Sequence, residues 1–270
     1  MSEEQPGRAG APPGTARLPT LSIVIPAFNE ARRLPKTLTR LRQWLAETSY
    51  RYEIIVVDDG STDGTGEAAS ESGGETLVLL RHQPNRGKGY AVRRGMLAAT
   101  GERRLMTDAD FSTPIEELPR LMDELDRGAD VAIGSRAVEG ARIEIHQPAY
   151  REAMGRVFNR LVQMLLLPGL EDTQCGFKLF TAQAAEQSFG ACRLDGFSFD
   201  VEALYVARRL GLRIVEVPVV WRNDEASRVS LGGGGAAFVD LIRIRLLAGR
   251  GAYRSSAPSG NAGGDPGPST

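Results

Sequence analysis

The chain has 270 residues, 41% of them hydrophobic and 25% charged, with 33 basic against 34 acidic side chains. That length suits one large α/β domain or two small ones, and the net charge of −1 argues against a bulk electrostatic nucleic-acid binder. Two cysteines, Cys175 and Cys192, and two histidines, His82 and His146, make no disulfide framework and nearly exclude a His/Cys zinc site; an oxygen-liganded hard cation stays open.

Residues 1–18 are rich in Gly, Pro and Ala and read as a disordered lead-in, and 251–270 read the same way. The first segment has no apolar signal-peptide core. No apolar run approaches the roughly 18 residues that span a bilayer. The expectation is a cytoplasmic chain that touches the inner face of the cytoplasmic membrane peripherally, without crossing it.

From 19 onward, strands and helices alternate. Leu21–Ala27 is a short β-branched run, the pattern of a strand buried on both faces. Leu34, Leu38, Leu41 and Leu45 give Asn29–Leu45 helical spacing. Tyr52–Val57 predicts a strand, Asp63–Ser70 a polar helix, and Thr76–Leu80 a strand. Lys88–Ala99 predicts a helix and Arg103–Met106 a strand. Pro114–Asp126 predicts a helix with Pro near its start, and Asp130–Ile133 a strand. Strands separated by helices of this length imply βαβ units and a mostly parallel sheet. Ligands then bind at the carboxyl ends of the strands.

Those ends carry chemistry. They read Pro26-Ala27-Phe28-Asn29-Glu30, Asp58-Asp59-Gly60-Ser61-Thr62-Asp63, Asn85-Arg86-Gly87-Lys88-Gly89, Asp108-Ala109-Asp110 and Gly134-Ser135-Arg136. Polar loops are ordinary, but carboxylates closing two buried strands are not. Asp108 and Asp110 side by side are costly unless a cation or donor meets them. A divalent ion shared with substrate phosphates suits such a pair, with Ser112 and Thr113 able to add hydroxyls. Asp58–Asp63 also reads as a turn and helix cap. Gly87-Lys88-Gly89 opens a helix, where a lysine and free backbone N–H groups favour an anion.

These motifs resemble the family 2 glycosyltransferases of the GT-A fold, with Asp108-Ala109-Asp110 similar to their metal motif. Asp172-Thr173-Gln174-Cys175-Gly176-Phe177-Lys178-Leu179-Phe180 and Phe199-Asp200-Val201-Glu202 resemble the polyprenyl-phosphate sugar transferases, the dolichyl-phosphate β-glucosyltransferases more than the mannose synthases. The resemblance covers about Pro19 to Ser230. It implies an α/β GT-A fold with a Rossmann-like nucleotide-binding half at 19–136 and an acceptor half at 137–250.

It also implies roles. Pro26, Ala27, Phe28 and Glu30 line the nucleotide, with Asp58 and Asp59 at the base. Lys88, Asp108 and Ala109 hold the nucleotide and its ribose. Asp110 and the Ser112 region carry Mg²⁺ or Mn²⁺ against the diphosphate. Arg136 and Arg151 grip the acceptor phosphate, Asp172 lies near the reacting sugar, and Arg228 belongs to a basic loop near the diphosphate. The implied reaction is inverting, metal-dependent transfer of a sugar, glucose from UDP-glucose, to a polyprenyl phosphate. Two departures stand out. The N-terminal membrane span usual in the eukaryotic relatives has no counterpart here, and the stretch after the DxD reads Phe111-Ser112-Thr113-Pro114.

In the second half, Arg151–Leu167 reads as an amphipathic helix with Arg151, Arg156 and Arg160 beside an apolar stripe. It suits either a core helix with a basic face or a helix in the headgroup layer. Phe238–Leu247 is a second candidate, Gly232–Gly235 before it reads as a hinge, and Ile214–Val220 as a strand. Two other functions fit the same donor residues: a transferase acting on a glycan hydroxyl, and a nucleotide-sugar-binding module without turnover. Intact Lys88, Asp108, Asp110 and Arg136 speak against the second of these.

Overall fold

The structure is a computed structural model, and it describes residues 19–223 and 231–253. A seven-stranded sheet runs in the order β3-β2-β1-β4-β7-β5-β8. Its strands are β1 (Leu21–Ala27), β2 (Tyr52–Asp59), β3 (Leu77–His82), β4 (Arg103–Thr107), β5 (Val131–Ser135), β7 (Phe177–Thr181) and β8 (Ile214–Pro218). A two-stranded ribbon pairs β6 (Arg142–Ile145) with β9 (Val220–Arg222).

Side chains on these strands alternate between two cores, as the two-residue period of a strand requires. Ile23, Ile25, Ile54, Val56 and Leu105 face one core, under α1 (Leu34–Ala46), α2 (Thr65–Gly73) and α4 (Leu118–Asp126). Val24, Ile55, Val57, Met106 and Ile133 face the other. That side is covered by α3 (Lys88–Ala98), α5 (Ala149–Leu165), α6 (Ala182–Ala191), α7 (Phe199–Arg209) and α8 (Leu231–Gly249). Leu34, Leu38, Leu41 and Leu45 are all essentially buried, each worth about 2 kcal/mol by area.

The elements depart from expectation where local chemistry intervenes. α1 starts at Leu34 rather than Asn29, because Asn29 sits at φ 56° and Pro35 supplies the first turn. Pro114–Asp126 is not one helix. A 3-10 turn at Ile115–Glu117 precedes α4, whose second residue, Pro119, has no N–H to continue an earlier α-helix. Gly232–Gly235 is helical, the opening of α8, and not a hinge. Leu241 and Ile244, both buried, anchor that helix. The run Ile214–Val220 is broken at Val219, and its end leaves the main sheet to join β6.

The largest difference is β7. It enters between β4 and β5, antiparallel to both, with Lys178 opposite Met106 on one side and Ile133 on the other. The remaining strand pairs of the large sheet are parallel.

Candidate active site

The loops after β1 and β2 are fastened to each other. Asn29 N donates to Ser61 Oγ at 2.9 Å, Glu30 N to Thr65 Oγ1 at 2.8 Å, and Ala31 N to Asp63 Oδ2 at 3.2 Å. In return Thr62 N donates to Asn29 Oδ1 at 2.9 Å. Asp63 Oδ1 accepts from Thr65 Oγ1 at 2.5 Å. Burial works to raise the Asp63 carboxyl, but these donors outweigh it and leave its pKa below the usual value. Much of Asp58–Asp63 therefore builds the edge on which a ligand rests. Pro26 and Ala27 are buried in β1, Phe28 is exposed, and Asp58 is buried, with Arg81 Nε 3.3 Å from Oδ2.

Asp59 shapes the next loop. Its Oδ1 accepts from His82 Nε2 at 2.7 Å and from Arg86 N at 2.8 Å. Its Oδ2 accepts from Asn85 Nδ2 and Gly87 N, both at 2.9 Å. His82 Nδ1 accepts from Arg94 Nη1 at 2.9 Å, which fixes the proton on Nε2. Gly87 follows at φ 103°, where an added Cβ would lie 2.4 Å from Asp195 O. This fold of the loop presents Lys88 at the start of α3.

Lys88 Nζ lies 2.7 Å from Asp108 Oδ1. Burial works against its charge, but Asp108, Asp200 and Asp110 outweigh that and raise its pKa. Asp110 shows the opposite balance. Burial first, then the neighbouring Asp108, raises its carboxyl pKa, against the pull of Ser112 and Lys88. Asp110 Oδ1 accepts from Ser112 N at 2.9 Å, and Arg33 Nη1 stands 3.8 Å from Oδ2 while its Nε lies 3.4 Å from Glu30. Ala109 is buried, its carbonyl accepting from Thr37 Oγ1 at 2.6 Å. Thr113 turns inward, its Oγ1 3.5 Å from Cys175 Sγ.

Arg136, just past β5, forms a fork with Asp172. Its Nε donates to Oδ2 at 2.6 Å and Nη2 to Oδ1 at 2.9 Å. The Arg136 backbone N adds a third bond to Oδ2 at 2.9 Å, and Gln174 N a fourth to Oδ1 at 3.2 Å. Burial would raise the Asp172 carboxyl, but Arg136 outweighs it and holds the pKa below the usual range. Arg136 also lies 5.3 Å from the Trp221 ring centroid. Glu216 supports the turn from behind, accepting from Glu171 N at 2.7 Å and Asp172 N at 2.9 Å.

One cavity of about 860 Å³ unites much of this. Lys88, Asp108, Asp110, Ser112, Arg136, Arg151 and Asp172 all line it. Along α5 it is lined by Arg156 and Arg160 together with Met154 and Phe158, and from α8 by Phe238. Pro26, Ala27, Phe28, Glu30, Asp58, Asp59 and Ala109 stand on the neighbouring edge and are not among its lining residues. Arg228 lies outside the described residues.

Residues 22–189 match the model of the family described as glycosyl transferase family 2. The chain belongs to that family. It is 35% identical over 250 residues to the dolichyl-phosphate beta-glucosyltransferase of Homo sapiens, an alignment that covers 87% of this chain and 77% of that one. The Drosophila melanogaster protein of the same name is 38% identical over 226 residues, covering 78% and 69%. Among solved structures, mannosyl-3-phosphoglycerate synthase from Rubrobacter xylanophilus aligns with a TM-score of 0.66 at 20% identity, covering 90% of this chain and 78% of that one. Glucosyl-3-phosphoglycerate synthase from Mycobacterium tuberculosis, in a crystal with Mn²⁺, UDP-glucose and glycerol 3-phosphate, aligns at 0.64 and 22% identity, covering 85% and 79%. At those identities the structures establish the GT-A fold. The chain is a glycosyltransferase.

A divalent cation fits this glycosyltransferase as a partner of substrate phosphates. Among the described residues no three His, Cys, Asp or Glu side chains form a metal cage. Asp108 and Asp110 offer two carboxylates to the cavity, and burial first, then the neighbouring Asp108, raises the pKa of Asp110. Mg²⁺ in particular is usually held in this way, by one or two carboxylates and the oxygens of a substrate.

Two residues of the glycosyltransferase's cavity region escaped the sequence reading as a pair. Lys178, buried in β7, donates from Nζ to Asp200 Oδ1 at 2.6 Å and to Cys175 O at 2.5 Å. Asp200 lines the cavity. Burial raises its carboxyl pKa, with Lys178 and Lys88 pulling the other way. The available clue was a lysine inside an apolar strand, in a chain with only three.

Proposed function

We propose that this glycosyltransferase moves glucose from UDP-glucose onto the phosphate of a polyprenyl phosphate, with inversion at the anomeric carbon. The observation that carries this is the state of Asp172. A hydroxyl acceptor needs a base, and Asp172, the carboxylate paired with the expected acceptor residue Arg136, accepts four hydrogen bonds and has its pKa held below the usual value. It is a poor base and a good clamp. A phosphate monoester has a second pKa of about 6 and arrives already ionised. It needs guanidinium donors, and Arg136, pinned through Nε and Nη2 by Asp172, lines the cavity together with Arg151. The names of the curated relatives support the same acceptor class.

In this reading an oxygen of the acceptor phosphate forms the new bond to the anomeric carbon. The bond from that carbon to the β-phosphate oxygen breaks, and UDP leaves with the electron pair. Asp108 and Asp110, with Ser112 beside them, would hold Mg²⁺ or Mn²⁺, which would supply positive charge to the departing diphosphate. Lys88 adds a fixed cation at the same place, and Arg228 is assigned there by resemblance. Residues 19–136 serve the donor, with Pro26, Ala27, Phe28, Glu30, Asp58 and Asp59 forming the nucleoside edge. Residues 137–250 serve mainly the acceptor, at the inner face of the cytoplasmic membrane. Among the described residues no helix is long and apolar enough to cross a membrane, so α5 and α8 are assigned to peripheral contact.

The test is transfer of radiolabel from UDP-glucose to a polyprenyl phosphate, counted after organic extraction, with Mg²⁺ or Mn²⁺ present. Lipid label that falls at least about 100-fold in Asp110→Ala is expected, in line with the loss of a main electrostatic stabiliser. Label from another nucleotide sugar replaces the donor. Label appearing only on a glycan hydroxyl overturns the acceptor.

A further inference from the structure

We propose that Asp200 recognises the donor sugar: its Oδ2 accepts a hydrogen bond from a hydroxyl of the transferred hexose, and Lys178 is the positioning residue that holds it there. The proposal rests on the nucleotide-sugar reading above and names the group that reads the sugar.

Asp200 and Lys178 are 5% and 1% exposed. Burying such an ion pair costs desolvation that an apolar pair would avoid, so stability is a weak reason for it. What the pair supplies is a fixed acceptor in the cavity wall. Lys178 sits mid-sheet, two strand pairings deep, and cannot swing. It occupies Oδ1 of Asp200. Among the described residues Oδ2 has no hydrogen-bond partner, and Asp200 lines the cavity that also holds Asp108 and Asp110.

Position and chemistry select the ligand. Lys88, at the diphosphate end, lies 5.8 Å from the ring of Phe199, the residue before Asp200. The loop leading into α7 is fastened to the start of α3, with Gly89 N donating to Asp195 O at 2.8 Å. A sugar attached to a diphosphate held there falls within reach of Asp200. A carboxylate repels phosphate oxygens and has no proton for them. It accepts strongly from hydroxyls, and of the donor's parts the hexose is the one rich in hydroxyls.

The experiment is calorimetric binding, with Mn²⁺ present, of UDP, UDP-glucose and the four UDP-glucose analogues deoxygenated at carbon 2, 3, 4 or 6. In the wild-type protein one analogue is expected to bind about 10- to 100-fold more weakly than UDP-glucose, the size of one hydrogen bond to a charged group. Asp200→Asn is expected to lose the same factor for UDP-glucose, to keep its affinity for UDP, and to bind that one analogue as the wild type does. Lys178→Gln with Asp200→Asn removes both charges together and serves where the single variant does not fold. UDP affinity kept while UDP-glucose affinity is unchanged overturns the sugar contact alone. A parallel fall in UDP and UDP-glucose affinity overturns it in favour of a structural role. A flat series of analogues on the wild type overturns it without any variant. Wild-type protein that binds neither UDP nor UDP-glucose overturns both this proposal and the donor reading beneath it.

Discussion

Gly176 carries only hydrogen where any other residue would place a carbon 2.0 Å from Asp108 Oδ2 and 2.5 Å from its Cγ. Its carbonyl also accepts from Asp108 N at 3.2 Å. Gly176→Ala is therefore expected to push the Asp108 carboxylate off Lys88, while leaving the circular dichroism spectrum intact. Misplacing a catalytic group by about 1 Å costs on the order of 100-fold, and a fall of that size in kcat/KM for lipid-linked label is the expected reading. Next to it, Cys175 is wholly buried, and burial first, then Asp172, pushes its thiol up to about 11. Cys192 is buried as well, and neither cysteine is in a disulfide. A thiol reagent at pH 8 is expected to label neither until denaturant is added; rapid labelling of the folded protein would refute it. At this scale the sequence showed single residues well and partners poorly. Asp108, Asp110, Lys88 and Arg136 were legible because each follows a strand. The pairing of Lys178 with Asp200 was not, since it joins a strand to a helix 22 residues away.

α5 and α8 are neighbours, joined by an edge-to-face contact of Phe158 and Phe238 at 5.4 Å. Their outward sides are apolar and basic together. Val157 and Met164 on α5 and Val239, Ile242 and Leu246 on α8 are exposed, Met164 at 75%. Arg156, Arg160, Arg243 and Arg245 are exposed beside them. Such helices bind headgroup layers by burying their apolar stripe and attracting anionic lipid. The protein is expected to co-sediment with anionic phospholipid vesicles at low salt. Met164→Asp with Ile242→Asp should cut the bound fraction about 10-fold without lowering the melting temperature, and equal sedimentation of both proteins would sink the assignment. The α5 helix was legible in its spacing, as were the parallel strands, whose β-branched runs are bounded by turn residues. β6 was not, because it is mostly exposed and has no alternating face. Nor was the direction of β7, since FKLFT carries no mark of which neighbours it joins.

Across the whole molecule, the region after α8 is tied back to the core. Tyr253 OH donates to Glu202 Oε1 at 2.6 Å, and Glu202, with no exposed surface, also accepts from Arg193 N and Leu194 N. Tyr253→Phe leaves a buried carboxylate one donor short, a loss of about 2 kcal/mol. For a chain of this size that lowers the melting temperature by about 4–8 °C, which a thermal melt checks directly; an unchanged melt would mean that α8 is held by its apolar face alone.

The antiparallel insertion of β7 bears on how the molecule can be divided. A donor-binding fragment ending at Arg136 would keep β1 to β5 in the chain but would lose the strand that joins β4 to β5. Both would become raw edges in the middle of the sheet, the arrangement that most invites pairing between chains. The large sheet is thus not separable into cassettes along the sequence. A chimaera built to change the acceptor must carry Phe177–Thr181 matched to β4 and β5 of its new host, and with that strand it imports Lys178.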